Sequence, residues 1–384
     1  MRICLFTLST PYYQGGGFER FLVDFASWTN KNTDNYVGIV SRDKKFYSRL
    51  SRTLSIYYGE SGINIDNMPH LSKVEMQDIH LEECSHWKML GERLSRYDVI
   101  YSKNEFIEVL ALRVINMFYR LPPIIYGIHT AISYEAPATL TGIFHNYLYH
   151  GYLFRAMLAN AYGFHSLNKE TYLYLKQMFP AKRHLLLPNA INSELFRGTV
   201  SKHDLKNVYK ILWVGRLTDQ KGIFELIQII KQTNVTVKNR TEWHIVGSGE
   251  LGYHIDALCR EEDNVIFHGW INNVDLPTIY SEMDMYISTS KWEGMPLTAI
   301  EAMFSGLPVI SFDIPGMTDI IADNEEVGVM VRSVSEFVDT ILNVEAKRII
   351  FKNVREYALE KYSIGKVYPA LVKFLESTAT GVRM

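Results

Sequence analysis

Two carboxylates eight residues apart open the chemical reading of this sequence. They lie in Trp292-Glu293-Gly294-Met295-Pro296-Leu297-Thr298-Ala299-Ile300-Glu301-Ala302-Met303. Pro296 suits a first helical position and Gly306 a stop, so the spacing predicts a short helix over Pro296–Ser305. Glu293 then belongs to the loop before the helix, and Glu301 to its second turn. The N–H groups of Leu297 and Thr298 would face an anion or sugar hydroxyls. A carboxylate at Glu301 can accept from a vicinal diol. It sits among Ala299, Ile300, Ala302 and Met303, and an ionised group on so apolar a helix needs a partner. A loop carboxylate and a helical one do not make the facing pair of a hydrolase.

Cations come from Val214-Gly215-Arg216-Leu217-Thr218-Asp219-Gln220-Lys221-Gly222. Arg216 offers a planar fork and Lys221 a point charge, a pair suited to a diphosphate. Gly247-x-Gly249-x-x-Gly252 follows an apolar run and on its own suggests a dinucleotide site. The next run ends in His268-Gly269-Trp270, without the acid a dinucleotide ribose requires. Gly15-Gly16-Gly17 precedes an amphipathic stretch with Phe21, Leu22 and Phe25, so backbone can approach a phosphate there. His129 ends the apolar run Ile124–Ile128. Its ordinary pKa leaves both a neutral ring and a cation available. The plainer reading of His129 is a histidine satisfying a loop carbonyl.

The elements that must position these groups alternate. Short β-rich runs fall at Arg2–Leu8, Tyr36–Ser41, Val99–Ser102, Ile124–His129 and Gly163–Leu167. After a Pro/Asn break at Pro188-Asn189 they resume at Tyr209–Val214, Trp243–Val246, Asn264–His268, Met285–Ser288 and Pro308–Ser311. Helical patterns such as Gly222–Lys231 lie between. This predicts an α/β chain of two Rossmann-like parallel-sheet domains with a cleft between the carboxyl ends of their strands. Residues 1–190 form the first, 191–207 a linker, 208–362 the second, and 363–384 a final helix.

Composition narrows the classes. The 384 residues carry 40 basic and 42 acidic side chains, which excludes a global basic field for nucleic acid. Residues 1–200 hold 21 basic and 17 acidic side chains against 19 and 25 in the remainder. Three cysteines fit neither a disulfide framework nor a zinc cage and suit a cytoplasmic protein. No unbroken apolar run reaches transmembrane length. No Asp-x-Asp occurs, so no metal or other cofactor is expected.

Taken together, the chain resembles a retaining GT-B glycosyltransferase of glycosyltransferase family 4. The resemblance rests on Gly16-Gly17-Phe18-Glu19-Arg20, Pro188-Asn189-Ala190-Ile191-Asn192 with Phe196, Gly215-Arg216 with Lys221-Gly222, Gly247-x-Gly249, Glu293-x7-Glu301-Ala302-Met303, Gly306-Leu307-Pro308-Val309-Ile310 and Gly316. Tyr362-Ser363 and the last helical stretch resemble the family's tail, which crosses back to the first domain. The resemblance implies a UDP- or GDP-linked sugar as substrate and a glycan, lipid-linked or small-molecule acceptor. Arg216 and Lys221 would take the diphosphate and Glu301 the ribose. Glu293 and Gly294, with the backbone of Met295, Pro296, Leu297 and Thr298, would take the sugar. Trp270 and Ile271 would lie beside the base. Gly247 and Gly249 complete the donor site, Gly16 and Gly17 would approach the phosphate, and His129 the reacting sugar. An Asp usually follows that histidine; here it is Thr130. Retention would follow from same-face attack assisted by the leaving phosphate, without a nucleophilic carboxylate.

Other classes compete. They are a dinucleotide oxidoreductase, a sugar-nucleotide epimerase on the same fold, and an inactive carbohydrate-binding relative. The aromatic segment from Phe144 to Phe164, with Arg155, reads first as core and second as an interfacial surface. The second reading gives an expected peripheral contact with anionic membranes.

Overall fold

A computed structural model describes residues 1–8, 17–42, 80–129, 152–196, 208–321, 324–346 and 349–381. Two compact units emerge: residues 1–189 with 364–384, and residues 190–363.

The first unit holds a seven-stranded, wholly parallel sheet in the order β3-β2-β1-β4-β5-β6-β7. Its strands are β1 (Arg2–Phe6), β2 (Tyr36–Arg42), β3 (His80–Cys84), β4 (Val99–Lys103), β5 (Ile124–Ile128), β6 (Gly163–Ser166) and β7 (Arg183–Leu186). Its described helices are α1 (Gly17–Asn32), α2 (Trp87–Leu94), α3 (Phe106–Phe118), α4 (Tyr152–Leu158), α5 (Lys169–Met178) and, from the end of the chain, α13 (Ile364–Thr380). The central strands β1, β4 and β5 are largely apolar, as strands covered on both faces tend to be. Phe6, Ile100, Leu112, Tyr126, Phe154 and Phe164 lie in one buried cluster. The terminal helix α13 lays Tyr368 against Phe25 of α1 (ring centroids 5.2 Å apart) and Trp28 (5.7 Å). Asn35 donates to Glu376 at 2.9 Å, and the Arg183 guanidinium grips the Ser377 carbonyl and hydroxyl, each at 2.6 Å.

The second unit has six parallel strands in the order β10-β9-β8-β11-β12-β13. They are β8 (Tyr209–Val214), β9 (Thr241–Val246), β10 (Val265–Gly269), β11 (Met285–Ser288), β12 (Val309–Phe312) and β13 (Gly328–Val331). Its helices are α6 (Ile223–Val237), α7 (Gly252–Glu261), α8 (Leu276–Ser281), α9 (Leu297–Phe304), α10 (Pro315–Ile321), α11 (Val334–Glu345) and α12 (Val354–Tyr362). Trp213, Trp243, Ile245, Leu226, Ile230 and Phe337 belong to one buried cluster. Asn234 receives the Trp243 indole N–H at 3.2 Å, satisfying a buried donor. Ile191 makes a parallel bridge with Ser363, and Phe196 packs edge-on against Tyr280 at 5.8 Å.

Three strands escaped the sequence reading: β3, β7 and β13. Each is four or five residues long at a sheet margin, three of the four residues of β7 are only partly buried, and none shows a long apolar run. Helix α6 runs on to Val237, past the expected Lys231, because Thr233, Asn234 and Val237 remain on its buried side. Pro296 caps α9 rather than entering it, with ψ 121° placing it in extended backbone.

Candidate active site

Strand order reverses in the second sheet between β8 and β11, and ligands of open α/β sheets bind at such a point, beyond the carboxyl ends. Arg216 and Lys221 follow β8, and Glu293 follows β11. The structure brings Lys221 and Glu293 into an ion pair across this reversal. Ser290 donates to the same Glu293 Oε1 at 2.8 Å. Arg216 is exposed and reaches Gln220 Oε1 at 3.2 Å, while Gln220 donates to the Trp292 carbonyl at 3.1 Å. Glu293 is therefore a buried, twice-partnered carboxylate.

Backbone interactions hold the loops that carry these groups. Gly215 N–H donates to Val246, Leu217 to Ser248, Gly247 to Gly269 and Lys291 to Gln220, all at 2.8–3.0 Å. Four strand ends are thus tied to one another. Glycine is required where they meet. Gly247 has φ +144°, and a Cβ there would lie 1.8 Å from the Gly215 carbonyl oxygen. Gly222, which precedes α6, has φ +65°, and its Cβ would lie 1.9 Å from the Thr289 carbonyl oxygen. A Cβ at Gly249 would lie 2.5 Å from the Leu217 carbonyl oxygen. Gly247 and Gly249 of the dinucleotide-like motif therefore serve close loop packing, whereas a Cβ at Gly252 would meet only the Leu217 side chain at 3.5 Å.

Glu301 lies buried in α9, and its expected partner exists. Tyr280 of α8 donates to Glu301 Oε2 at 3.1 Å and lies 3.2 Å from the Thr298 carbonyl. Tyr286 of β11 shares a hydrogen bond with Thr298 Oγ1 at 2.8 Å. Burial raises the Tyr286 pKa, and the charges of both Glu293 and Glu301 add to that, while the Thr298 bond opposes it. Both carboxylates are thus felt at one buried hydroxyl. Gly294, Met295 and Pro296 are buried, Leu297, Thr298 and Ile271 partly so, and Trp270 stands half exposed beside Gly269. Among the described residues no three His, Cys, Asp or Glu side chains gather as a metal site.

In the first unit the order reverses between β1 and β4. Glu108 of α3 bridges that reversal: its Oε1 accepts from Leu8 N–H at 2.8 Å and from the Thr7 hydroxyl at 3.1 Å. Burial pushes its pKa up to about 7, although Lys103 and the Leu8 N–H pull the other way. Gly17 begins α1; Gly16 and Thr130 lie outside the described residues. His129 follows β5 as expected. Among the described residues it satisfies no loop carbonyl; its Nε2 meets the Tyr101 hydroxyl at 3.0 Å. It is also not poised between two charge states. Burial, His165 and Lys103 lower its pKa well below the usual histidine value, so the ring is neutral at physiological pH. Of the aromatic segment, Phe144, Tyr147 and Tyr149 lie outside the described residues. Phe154 is core, whereas Tyr152 is 88% exposed, so neither single reading fits the described part.

Sequence reasoning missed Tyr280, Tyr286, Ser290 and Gln220 in the second unit, and Tyr101, Lys103, Glu108 and His165 in the first. Gln220 and Ser290 stood inside or beside quoted motifs. The tyrosines and His165 act from neighbouring strands and helices, where linear spacing carries no signal.

Residues 199–361 match the family of glycosyl transferases group 1. The group 1 stretch falls within the second unit. A relative, the UDP-Gal:alpha-D-GlcNAc-diphosphoundecaprenol alpha-1,3-galactosyltransferase of Escherichia coli, is 27% identical over 220 residues, 52% of this chain and 56% of that one. The chain spans between about a third and just over half of the length of the curated relatives it matches. Among solved structures, sucrose-phosphate synthase of Thermosynechococcus elongatus superposes with a TM-score of 0.73 at 18% identity, covering 99% of both chains. HepE of Anabaena, in complex with UDP and glucose, gives 0.69 at 16% identity over 98% of this chain and 100% of that one. The chain has the GT-B fold of two Rossmann-like parallel-sheet units.

Proposed function

We propose that the chain is a retaining glycosyltransferase that moves a sugar, a hexose in type, from a UDP- or GDP-linked donor to a glycan or lipid-linked acceptor without a metal ion. The observation that carries this reading is the Arg216, Lys221 and Glu293 constellation at the strand-order reversal of the second sheet. Cleaving a glycosyl–phosphate bond leaves a nucleoside diphosphate whose charge grows in the transition state. Arg216 and Lys221 would stabilise that charge without a metal. A diphosphate arriving there would share Lys221 with Glu293, whose carboxylate stays paired and meets the sugar as a hydrogen-bond acceptor. Glu301, steadied by Tyr280, takes the ribose diol; Trp270 and Ile271 flank the base. Gly247 and Gly249 let the backbone come close. Gly294 and the Met295–Thr298 backbone hold the sugar, with the start of α9 adding its positive end. In the first unit, Gly16 and Gly17 approach phosphate and His129 meets a sugar hydroxyl.

Retention fits the state of Glu293. A carboxylate paired with Lys221 and Ser290 is a poor nucleophile, which favours same-face attack assisted by the leaving phosphate. The name of the Escherichia coli relative specifies a UDP-linked donor and a diphosphoundecaprenol-linked acceptor, which supports a lipid-linked acceptor here.

Peripheral contact with the cytoplasmic face of a membrane belongs to the same proposal. Among the described residues no helix is long and apolar enough to cross a membrane. Helix α3, however, exposes Leu110, Val114, Met117 and Phe118 at i, i+4, i+7 and i+8, the last two 75% and 77% exposed. Arg113, Arg120 and Arg155 lie on or near this ridge, and Arg113 ties α3 to α4 through the Ala156 carbonyl. An apolar ridge with a basic rim suits an anionic interface.

The test is a panel of UDP- and GDP-sugars read by thermal stabilisation, with NAD(H) included, followed by transfer assays in EDTA. A sugar nucleotide at about 100 times its Kd should add about 2.7 kcal/mol of stability. Stabilisation by NAD(H) alone would instead indicate an oxidoreductase. A changed sugar nucleotide formed without acceptor would indicate an epimerase, and loss of transfer in EDTA would overturn the metal-free chemistry.

A further inference from the structure

Three hydrogen bonds in the first unit run in line from a backbone carbonyl to His129. His165 Nε2 lies 3.0 Å from the Leu187 carbonyl oxygen. Tyr101 Oη lies 2.8 Å from His165 Nδ1 and 3.0 Å from His129 Nε2. Tyr101 is fully buried and His165 is 2% exposed.

The direction of each bond follows from the fixed end. A carbonyl can only accept, so His165 Nε2 carries a proton. Burial lowers the His165 pKa to about 4, so at neutral pH its Nδ1 bears a lone pair and must accept. The Tyr101 hydroxyl has one proton, and it goes to His165. Its oxygen is left to accept, and the donor is the Nε2–H of His129. The other ring nitrogen, His129 Nδ1, has no partner among the described residues.

The packing fits this geometry. Phe18 meets the His129 ring edge-on at 4.8 Å, and Phe21 lies at 5.3 Å, so α1 fixes the ring plane. A Cβ at Gly127 would come within 2.0 Å of Tyr101 Oη and 2.9 Å of His129 Nε2. Glycine at 127 therefore makes room for the relay itself. The titratable groups bearing on His129 are Tyr101 and Lys103 from β4 and His165 from β6, and none is a carboxylate that would favour a cation.

We propose that Tyr101 and His165 are positioning residues that lock His129 as the neutral Nε2–H tautomer, so that Nδ1 accepts a hydrogen bond from a substrate hydroxyl. The tautomer stands on the relay alone; the hydroxyl as ligand rests on the glycosyltransferase reading above.

Nitrogen-15 spectra of the histidine rings in the full chain test it, with the His129 signals assigned from their absence in His129→Gln. The wild type should show a protonated Nε2 and a lone-pair Nδ1, unchanged from pH 8 to pH 6. Tyr101→Phe should give averaged signals, with turnover lowered about tenfold and nucleotide affinity within twofold of wild type. His165→Gln, whose amide can donate to Leu187 and accept from Tyr101, should keep the wild-type pattern; His165→Leu should lose it. Adding a sugar nucleotide that stabilises the protein should move the Nδ1 resonance. An Nδ1–H tautomer or a protonated His129 at pH 7 in the wild type overturns the proposal, as does an unaltered Tyr101→Phe spectrum. If the tautomer holds but no sugar nucleotide binds, the glycosyltransferase reading has failed and the relay stands. If one binds and Nδ1 does not move, the acceptor role is wrong.

Discussion

The two units position their chemical groups by different means. In the second, Arg216, Lys221 and Glu293 stand on loops tied by backbone hydrogen bonds and by glycines that admit no Cβ. In the first, Glu108, Tyr101 and His165 do the positioning with buried side chains, gripping Leu8, Thr7 and His129. Backbone positioning leaves a local signature in the chain, because glycine and its neighbours are the device. Side-chain positioning draws on residues from separate strands and helices and leaves none. Backbone positioning is also indifferent to pH, whereas the buried Glu108 and His165 make the first unit sensitive to it.

The largest expected effect breaks the second unit's device. Gly247→Ala forces a Cβ against the Gly215 carbonyl at a φ that other residues avoid. Denaturant unfolding should show a loss of about 3 kcal/mol or more. Unchanged stability would mean that the loops are not held as described.

An effect of similar size sharpens the contrast in the first unit. Folded His165 stays neutral down to about pH 4, while the unfolded residue takes up a proton near 6.5. Its contribution is therefore lost as pH falls from 6.5 to 4, by about 3 kcal/mol. Glu108 runs the opposite way. Folded, it keeps its proton up to about pH 7, whereas unfolded it releases it near 4.5. That contribution is lost as pH rises from 4.5 to 7, again by about 3 kcal/mol. The two oppose each other in the wild type, and single substitutions should unmask them. Relative to wild type, His165→Gln should be less sensitive to acid and Glu108→Gln less sensitive to rising pH. Identical pH–stability profiles for both variants and the wild type would contradict the assignment.

A smaller effect concerns ligand. Glu301→Gln should weaken binding of the preferred nucleotide about tenfold, about 1.4 kcal/mol, by calorimetry with the fold intact. Affinity equal to wild type would remove Glu301 from the ribose. The smallest effect is a control on the glycine argument. Gly306 has φ +84° but nothing within 4 Å of a Cβ. Gly306→Asn should therefore cost less than about 1 kcal/mol, far below Gly247→Ala, because asparagine tolerates this backbone region.

This difference between the units explains what the sequence could disclose. The parallel α/β architecture and most central strands were legible, since buried parallel strands read as short apolar runs. Arg216, Lys221 and Glu293 stood out as candidates because each lies beside a glycine, and Glu301 because it is a carboxylate on an apolar helix. The marginal strands β3, β7 and β13 were not, lacking long apolar runs. Tyr280 could be foreseen only as a need: Glu301 on an apolar helix required some partner, and the chain did not say which. Tyr101 and His165 are separated from His129 by 28 and 36 positions, and only the register of β4, β5 and β6 makes them neighbours.

The central claim is that the strand-order reversal of the second sheet stabilises a departing nucleoside diphosphate through its cations. Its most direct test is the rate of sugar transfer from the stabilising UDP- or GDP-sugar, compared between wild type and Arg216→Ala per folded molecule. We predict a rate lowered about a hundredfold, about 2.7 kcal/mol, with an unchanged melting temperature. A folded Arg216→Ala protein that transfers sugar at the wild-type rate would contradict the account.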